Sequence, residues 1–193
     1  MDLRQITPLI LTWNEEPNLG RCLERLTWAD EVLVVDSGSN DGTLDICSRY
    51  ANVRLLERPF DCHSEQWNFG LDQVSTPWTL ALDADFILSE KLPAEMAAID
   101  ADTDRIGFHS RFRYCVHGTP LRASLYPPRT VLFRTDHCRF VQDGHTQFLT
   151  GDSPSGMLEA RIDHDDRKDL SRWLQSQYGY AALEAEKLEA ADI

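Results

Sequence analysis

Trp78-Thr79-Leu80-Ala81-Leu82-Asp83-Ala84-Asp85 is the stretch on which the fold turns. An apolar, strand-favouring run leads straight into two carboxylates. Side chains at i and i+2 of a strand point to the same side, so Asp83 and Asp85 emerge together where the strand ends. Two adjacent like charges are costly unless a cation sits between them, and a hard divalent ion with oxygen ligands meets that demand. An Asp-x-Asp on its own is more often a pair of solvated loop residues or a helix cap. Its surroundings decide otherwise here.

Working outward, Ile6 to Thr12 is a short apolar run that reads as a buried strand. Leu19, Cys22, Leu23 and Leu26 follow at spacings of three and four, the face of a helix. Glu31 to Asp36 is a second strand, Ser37 to Gly42 a turn leading into a helix that reaches about Tyr50, and Val53 to Leu56 a third strand. Asp61 or Ser64 caps a helix to about Val74, and Trp78 to Asp83 is the fourth strand. Alternating strands and helices with short connections predict an α/β fold with a mostly parallel central sheet flanked by helices. Ligands of such sheets bind outside the carboxyl ends of the strands. Three polar clusters fall there: Thr12-Trp13-Asn14-Glu15, Asp36-Ser37-Gly38 and Asp83-Ala84-Asp85.

The second half reads differently. Ile106 to Val116 mixes apolar and basic residues in alternation, Pro127-Pro128 breaks the chain, Thr130 to Arg134 is a short strand and Asp152 to Gly156 a turn. Leu170, Trp173, Leu174, Tyr178 and Ala181 predict an amphipathic helix from about Asp169 to Leu188. No repeat or linker interrupts the chain, so one domain over 1–193 is expected, with a nucleotide half to about residue 90 and an acceptor half after it.

Composition narrows the function. With 42% hydrophobic residues the 193-residue chain can build a core. A net charge of −13 argues against a nucleic-acid binder, which needs a basic face, and against simple adhesion to anionic lipid. Cys22, Cys47, Cys62, Cys115 and Cys138 form no CxxC pair, so reduced thiols are expected rather than a disulfide framework or a zinc ribbon. An anionic substrate would need a metal or a few placed cations to enter so acidic a protein.

Leu9-Ile10-Leu11-Thr12-Trp13-Asn14-Glu15-Glu16 with Asn18-Leu19, Trp28-Ala29-Asp30-Glu31-Val32, Val35-Asp36-Ser37-Gly38-Ser39-Asn40-Asp41-Gly42-Thr43, Gln66-Trp67-Asn68 and Leu82-Asp83-Ala84-Asp85 together resemble family 2 glycosyltransferases of the GT-A fold, a Rossmann-like α/β architecture. The similarity is strongest to the lipopolysaccharide-core β-glucosyltransferases. It implies inverting transfer of a sugar from a nucleotide-diphosphate donor, a UDP-sugar in first place, to a glycan or lipid-linked acceptor of the bacterial envelope. It further implies a cytoplasmic location, with peripheral attachment at the inner membrane as one option. On this resemblance Asp36 holds the nucleoside, with Thr12, Asn14, Glu15 and Ser37 lining its pocket. Asp83 and Asp85 hold Mg²⁺ or Mn²⁺, with Ala84 between them at the donor, and Gln66 and Asn68 approach the sugar or phosphate. His164 is a further metal or diphosphate contact.

An inverting transfer also needs a base beside the acceptor hydroxyl. The relatives often read Val-His-Glu where this chain has Gly144-His145-Thr146, so no glutamate matches. Asp143 is the nearest carboxylate and the expected base, with His145 as its alternative or as an orienting group. Phe86 follows the two aspartates where relatives often carry Glu. Two other readings compete with transfer. A sugar-nucleotide nucleotidyltransferase usually has a Gly-rich loop after its first strand, and Trp13-Asn14-Glu15-Glu16-Pro17 lacks one. A non-catalytic nucleotide-sugar binder gains some room from the missing glutamate. A dinucleotide oxidoreductase is disfavoured, since no Gly-x-Gly-x-x-Gly follows the first strand.

Overall fold

The computed structural model describes residues 1–122, 127–151 and 155–190. Its main sheet has seven strands. A four-stranded parallel part is built from β1 (Ile6–Thr12), β2 (Val32–Asp36), β3 (Val53–Glu57) and β4 (Trp78–Asp83), in the order β3-β2-β1-β4. Helices α1 (Leu19–Leu23), α2 (Thr43–Ser48) and α3 (His63–Leu71) connect these strands. After β4 the chain forms β5 (Phe86–Leu88), α4 (Leu92–Ala97), β6 (Gly107–Ser110), β7 (Phe112–Val116), β8 (Thr119–Pro120) and β9 (Arg129–Arg134). It continues through the hairpin β10 (Arg139–Asp143) and β11 (Thr146–Thr150), then β12 (Ser155–Met157), β13 (Ile162–His164) and α5 (Leu170–Ala190).

The four parallel strands read as unbroken apolar runs because both faces of the sheet are covered. Val32 and Val34 face one layer and Leu33 and Val35 the other, as the two-residue period demands. The first layer joins Ile6, Ile10, Val34, Leu80 and Leu82 to Leu19, Cys22 and Leu23 of α1 and to Leu92 and Met96 of α4. The second joins Leu9, Leu33, Val35 and Phe133 to Trp67 and Leu71 of α3. Gly70 lets α3 approach closely: a Cβ there would stand 2.6 Å from Leu9 Cδ1.

Strands β9 and β6 extend the sheet beyond β4 in antiparallel fashion, and β12 joins β6 in parallel. A second sheet runs β5-β13-β7-β8. Two expectations are corrected here, and a third is borne out as a helix. The stretch Ile106 to Val116 is not one alternating strand: Arg111 is the break at which the chain leaves the main sheet as β6 and enters the second as β7. Of the turn expected at Asp152 to Gly156, residues 152–154 lie outside the described residues, and Ser155 and Gly156 are paired in β12 with Gly107 and Phe108. The expected last helix is present as α5, yet no side chain in it is buried.

Candidate functional site at the carboxyl edge of the parallel sheet

Register brings the sequence-predicted clusters together. Thr12 stands opposite Asp36, and Leu11 opposite Asp83, so the ends of β1, β2 and β4 form one polar edge.

Asp36 is fully buried and turned inward. Its Oδ1 accepts the N–H groups of Gly38 (2.9 Å) and Ser39 (2.7 Å), while Oδ2 accepts the hydroxyls of Thr12 (2.8 Å) and Ser39 (2.6 Å). Four donors saturate the carboxylate, and no surface remains for a nucleoside. The expectation of direct nucleoside contact therefore gives way to a different role, in which Asp36 shapes the loop after β2. Gln66 and Asn68 are likewise engaged. Gln66 donates to Ser37 Oγ and to the Arg58 carbonyl, both at 2.9 Å. Asn68 exchanges two 2.9 Å bonds with the backbone of Phe140, which fastens the β10–β11 hairpin to α3.

The loop after β1 is held in the same way. Asn14 sits at φ +55°, its N–H donating to Ser39 Oγ and its Oδ1 accepting from the Asn40 N–H, each at 2.8 Å. The Glu15 N–H donates to Thr43 Oγ1 at 2.8 Å. Its carboxylate is nearly buried, accepts from Asn18 Nδ2 at 2.9 Å and pairs with Lys168. Burial pushes the Glu15 carboxyl up to about 7 despite the Lys168 charge and the Asn18 bond.

At the end of β4 the two aspartates differ. Asp83 opens to solvent from a crowded edge; the surrounding protein and the charge of Asp85 push its carboxyl up to about 6, while His164, Arg129 and Lys168 pull it down. Asp85 is mostly covered, and its Oδ2 meets His164 Nε2 at 2.8 Å. Its Oδ1 is buried with no hydrogen-bond partner among the described residues. Such an orphaned anionic atom is uncommon in a folded protein and marks a place where a cation fits. Ala84 is buried between the two. Burial works to lower the His164 imidazole, but its bond to Asp85 and the charges of Asp85, Asp83 and Asp166 leave it raised. The donor set suits a divalent ion, although no group of three or more His, Cys, Asp or Glu among the described residues stands ready-made to hold one.

His164 reaches Asp85 because β13 pairs antiparallel with β5, setting His164 opposite Phe86. The turn after it is clamped by residues that the sequence pattern undervalues. Asp165 is 3% exposed, and its carboxylate accepts from Arg21, Arg167 and the Gly118 N–H at 2.7–3.0 Å. Its own N–H donates to the Asp85 carbonyl at 3.1 Å. Asp166 and the fully buried Asn18 complete the clamp through a 2.8 Å bond. Asn18 belongs to the motif that follows β1, whereas Asp165 carries no local signal.

Asp143 and His145 sit at the tip of the hairpin, around Gly144 at φ +60°. Asp143 Oδ1 pairs with Lys187 Nζ at 2.5 Å, and His145 Nδ1 with Glu184 Oε1 at 2.5 Å, both partners on α5. The hairpin also reaches α3, where the Ser64 N–H donates to Gln142 Oε1 at 3.2 Å. Trp13 is exposed, with the guanidinium of Arg172 4.3 Å from its ring centre.

An α/β sheet with a polar carboxyl edge of this kind is the GT-A arrangement, and comparison with known proteins gives it a family. The model of glycosyl transferase family 2 matches residues 9–156, and the chain belongs to that family. It is 37% identical over 103 residues to the lipopolysaccharide core biosynthesis glycosyltransferase LpsC of Rhizobium meliloti, covering 49% of this chain and 38% of LpsC. An uncharacterized glycosyltransferase of Rickettsia bellii is 27% identical over 146 residues, 74% of this chain and 49% of that protein. The chain thus spans less than half the length of either relative. Among solved structures it resembles residues 1–349 of S. aureus TarS in complex with UDP-GlcNAc, with a TM-score of 0.64 at 16% identity over 85% of this chain and 59% of that one. It also resembles mannosyltransferase PcManGT from Pyrobaculum calidifontis in complex with GDP-Man and Mn²⁺, with a TM-score of 0.51 at 24% identity over 56% and 36%. No helix among the described residues is long and apolar enough to cross a membrane.

Proposed function

We propose that this domain transfers a sugar from a nucleotide-diphosphate donor, with Asp83, Asp85 and His164 holding a divalent cation at the donor's diphosphate. The observation that carries this reading is Asp85: one oxygen bound to His164, the other buried without a partner, at the end of β4 in a family 2 fold. A bound Mg²⁺ or Mn²⁺ supplies charge neutralisation for the departing nucleoside diphosphate. The chain's own residues do the rest. The loops after β1 and β2, set by Asp36, Asn14 and Gln66, form the floor on which the nucleotide rests. Asp143 takes the acceptor's proton as the acceptor oxygen bonds to the sugar's anomeric carbon and the bond to the diphosphate breaks, with inversion at that carbon. For this step Asp143 must part from Lys187. The likeness to LpsC favours an envelope glycan or lipid-linked acceptor, met at the cytoplasmic face of the inner membrane, and a UDP-sugar, the ligand class bound in the TarS complex, is the donor in this reading. The whole chain serves as one catalytic domain in this reading.

A thermal-shift panel of nucleotide sugars, with and without Mn²⁺, tests the class directly. One donor should raise the melting temperature only when the metal is present. Asp85→Ala should abolish that rise and sugar transfer while the circular dichroism spectrum is kept. Full transfer by Asp85→Ala in metal-free buffer would sink the reading. Asp143→Asn should lose transfer but keep donor binding, and an unchanged rate would move the base elsewhere.

A further inference from the structure

We propose that Lys168 is a diphosphate ligand that rests on Glu15 before the donor arrives and swings to the donor when it binds. This rests on the donor reading above and adds a residue and an exchange to it. A protein of net charge −13 must meet a dianionic group with cations placed for that purpose. Most basic side chains near the edge are committed. Arg21 and Arg167 are locked on buried Asp165, and Arg58 holds Asp61 and Gln66. His164 belongs to Asp85.

Lys168 stands at the same edge, its ammonium paired with Glu15 of the loop after β1, its side chain 19% exposed and its main chain anchored. The Lys168 N–H donates to Asp166 Oδ1 at 3.0 Å, Asp166 accepts from Asn18 at 2.8 Å, and the Arg167 N–H donates back to Asn18 Oδ1 at 2.8 Å. The base of the side chain is therefore fixed to the loop after β1, while four methylenes leave the ammonium free to move.

Its partner is built to release it. Glu15 keeps the Asn18 bond when Lys168 leaves, and a carboxyl standing at about 7 takes up a proton at little cost. No buried charge is stranded by the exchange.

Calorimetry with UDP and UMP in Mn²⁺ buffer, using GDP, ADP, CDP and dTDP as further probes, tests the exchange in wild type, Lys168→Met, Lys168→Arg and Glu15→Gln. A charged hydrogen bond to the second phosphate predicts roughly a 10- to 100-fold loss of UDP affinity in Lys168→Met. UMP should lose less, and Lys168→Arg should recover most of the difference. Glu15→Gln, which leaves the ammonium a neutral amide oxygen in place of a carboxylate, should bind UDP at least as tightly as wild type. Wild-type UDP affinity in Lys168→Met, equal losses for UDP and UMP, or a tenfold fall in Glu15→Gln would each overturn the proposal while leaving the donor reading in place. If wild type binds no nucleoside diphosphate at all, the donor reading falls and takes this proposal with it.

Discussion

Strand β4 and helix α5 are both written in apolar residues, yet they end in opposite situations. Five of the six β4 residues are buried, whereas the 21 residues of α5 bury none and leave Leu170, Leu174, Tyr178 and Leu188 about half exposed or more. The difference lies in the neighbours. β4 is flanked by β1 and β9 and covered on both faces, so its end cannot shift without disturbing two core layers. Among the described residues α5 meets the body through pairs such as Lys187–Asp143, Glu184–His145 and Arg172–Trp13, all partly in water. Exposed ion pairs hold weakly. The proposed cation ligands Asp83 and Asp85 thus stand at the end of a strand buried on both faces, and the proposed base sits beside a helix with no buried side chain.

The sharpest way to break this contrast is at the core. Leu80→Ala removes a fully buried side chain from the middle of β4 and should cost about 2–5 kcal/mol, read as a fall in the urea midpoint. A cost well under about 1 kcal/mol would mean that β4 is not the rigid support claimed for it. Asp36→Ala should come next, at about 1–3 kcal/mol, because it strands the buried Thr12 hydroxyl and the turn donors of Gly38 and Ser39. If Asp36→Ala instead left stability unchanged and removed donor binding, the direct nucleoside contact read from the family resemblance would be restored.

That same division explains what could be read from the sequence. Ile6–Thr12 and Trp78–Asp83 coincide with the strands expected from their apolar runs, because a strand buried on both faces needs no partner beyond its own pattern to be seen. The convergence of Thr12, Asp36 and Asp83 on one edge followed from the β-α-β order alone. What escaped was set by distant pairing. Nothing local says that Asp165 will be clasped by Arg21, 144 residues away, or that Asn68 will spend its amide on Phe140. The saturation of Asp36 was hidden for another reason: a motif shows that an acid is required, not whether it faces a ligand or its own loop. At Arg111 the alternation continued through a change of sheet, which a period of two cannot register.

A smaller effect separates the two regions by pH. The Glu15 carboxyl stands at about 7 in the folded protein against an ordinary 4.5, so the folded state holds a proton that the unfolded chain has released. The Glu15 contribution to wild-type stability therefore falls as pH rises from 4.5 through about 7. Glu15→Gln cannot titrate. Its stability relative to wild type should be unchanged below 4.5 and should grow across that interval, as seen in urea midpoints measured on both sides of it. A flat difference would place Glu15 in ordinary solvent and weaken the case for a carboxylate that can let Lys168 go.

The smallest expected effect on stability lies on α5, and it carries the most information about the base. Lys187→Ala removes a half-exposed ammonium whose partner, Asp143, is equally half exposed. Water replaces what the pair supplied, so the thermal midpoint should hardly move. Transfer is another matter. If Asp143 accepts the acceptor's proton, Lys187 competes with that proton for the same carboxylate, and removing it should leave the rate unchanged or raise it. If the ion pair instead presents the hairpin tip in its working position, Lys187→Ala should lose transfer with no loss of stability, and Lys187→Arg should restore it. A large fall in the midpoint would contradict the contrast itself, since it would show that α5 is bound to the body by more than the exposed pairs that now join it to the β10–β11 hairpin.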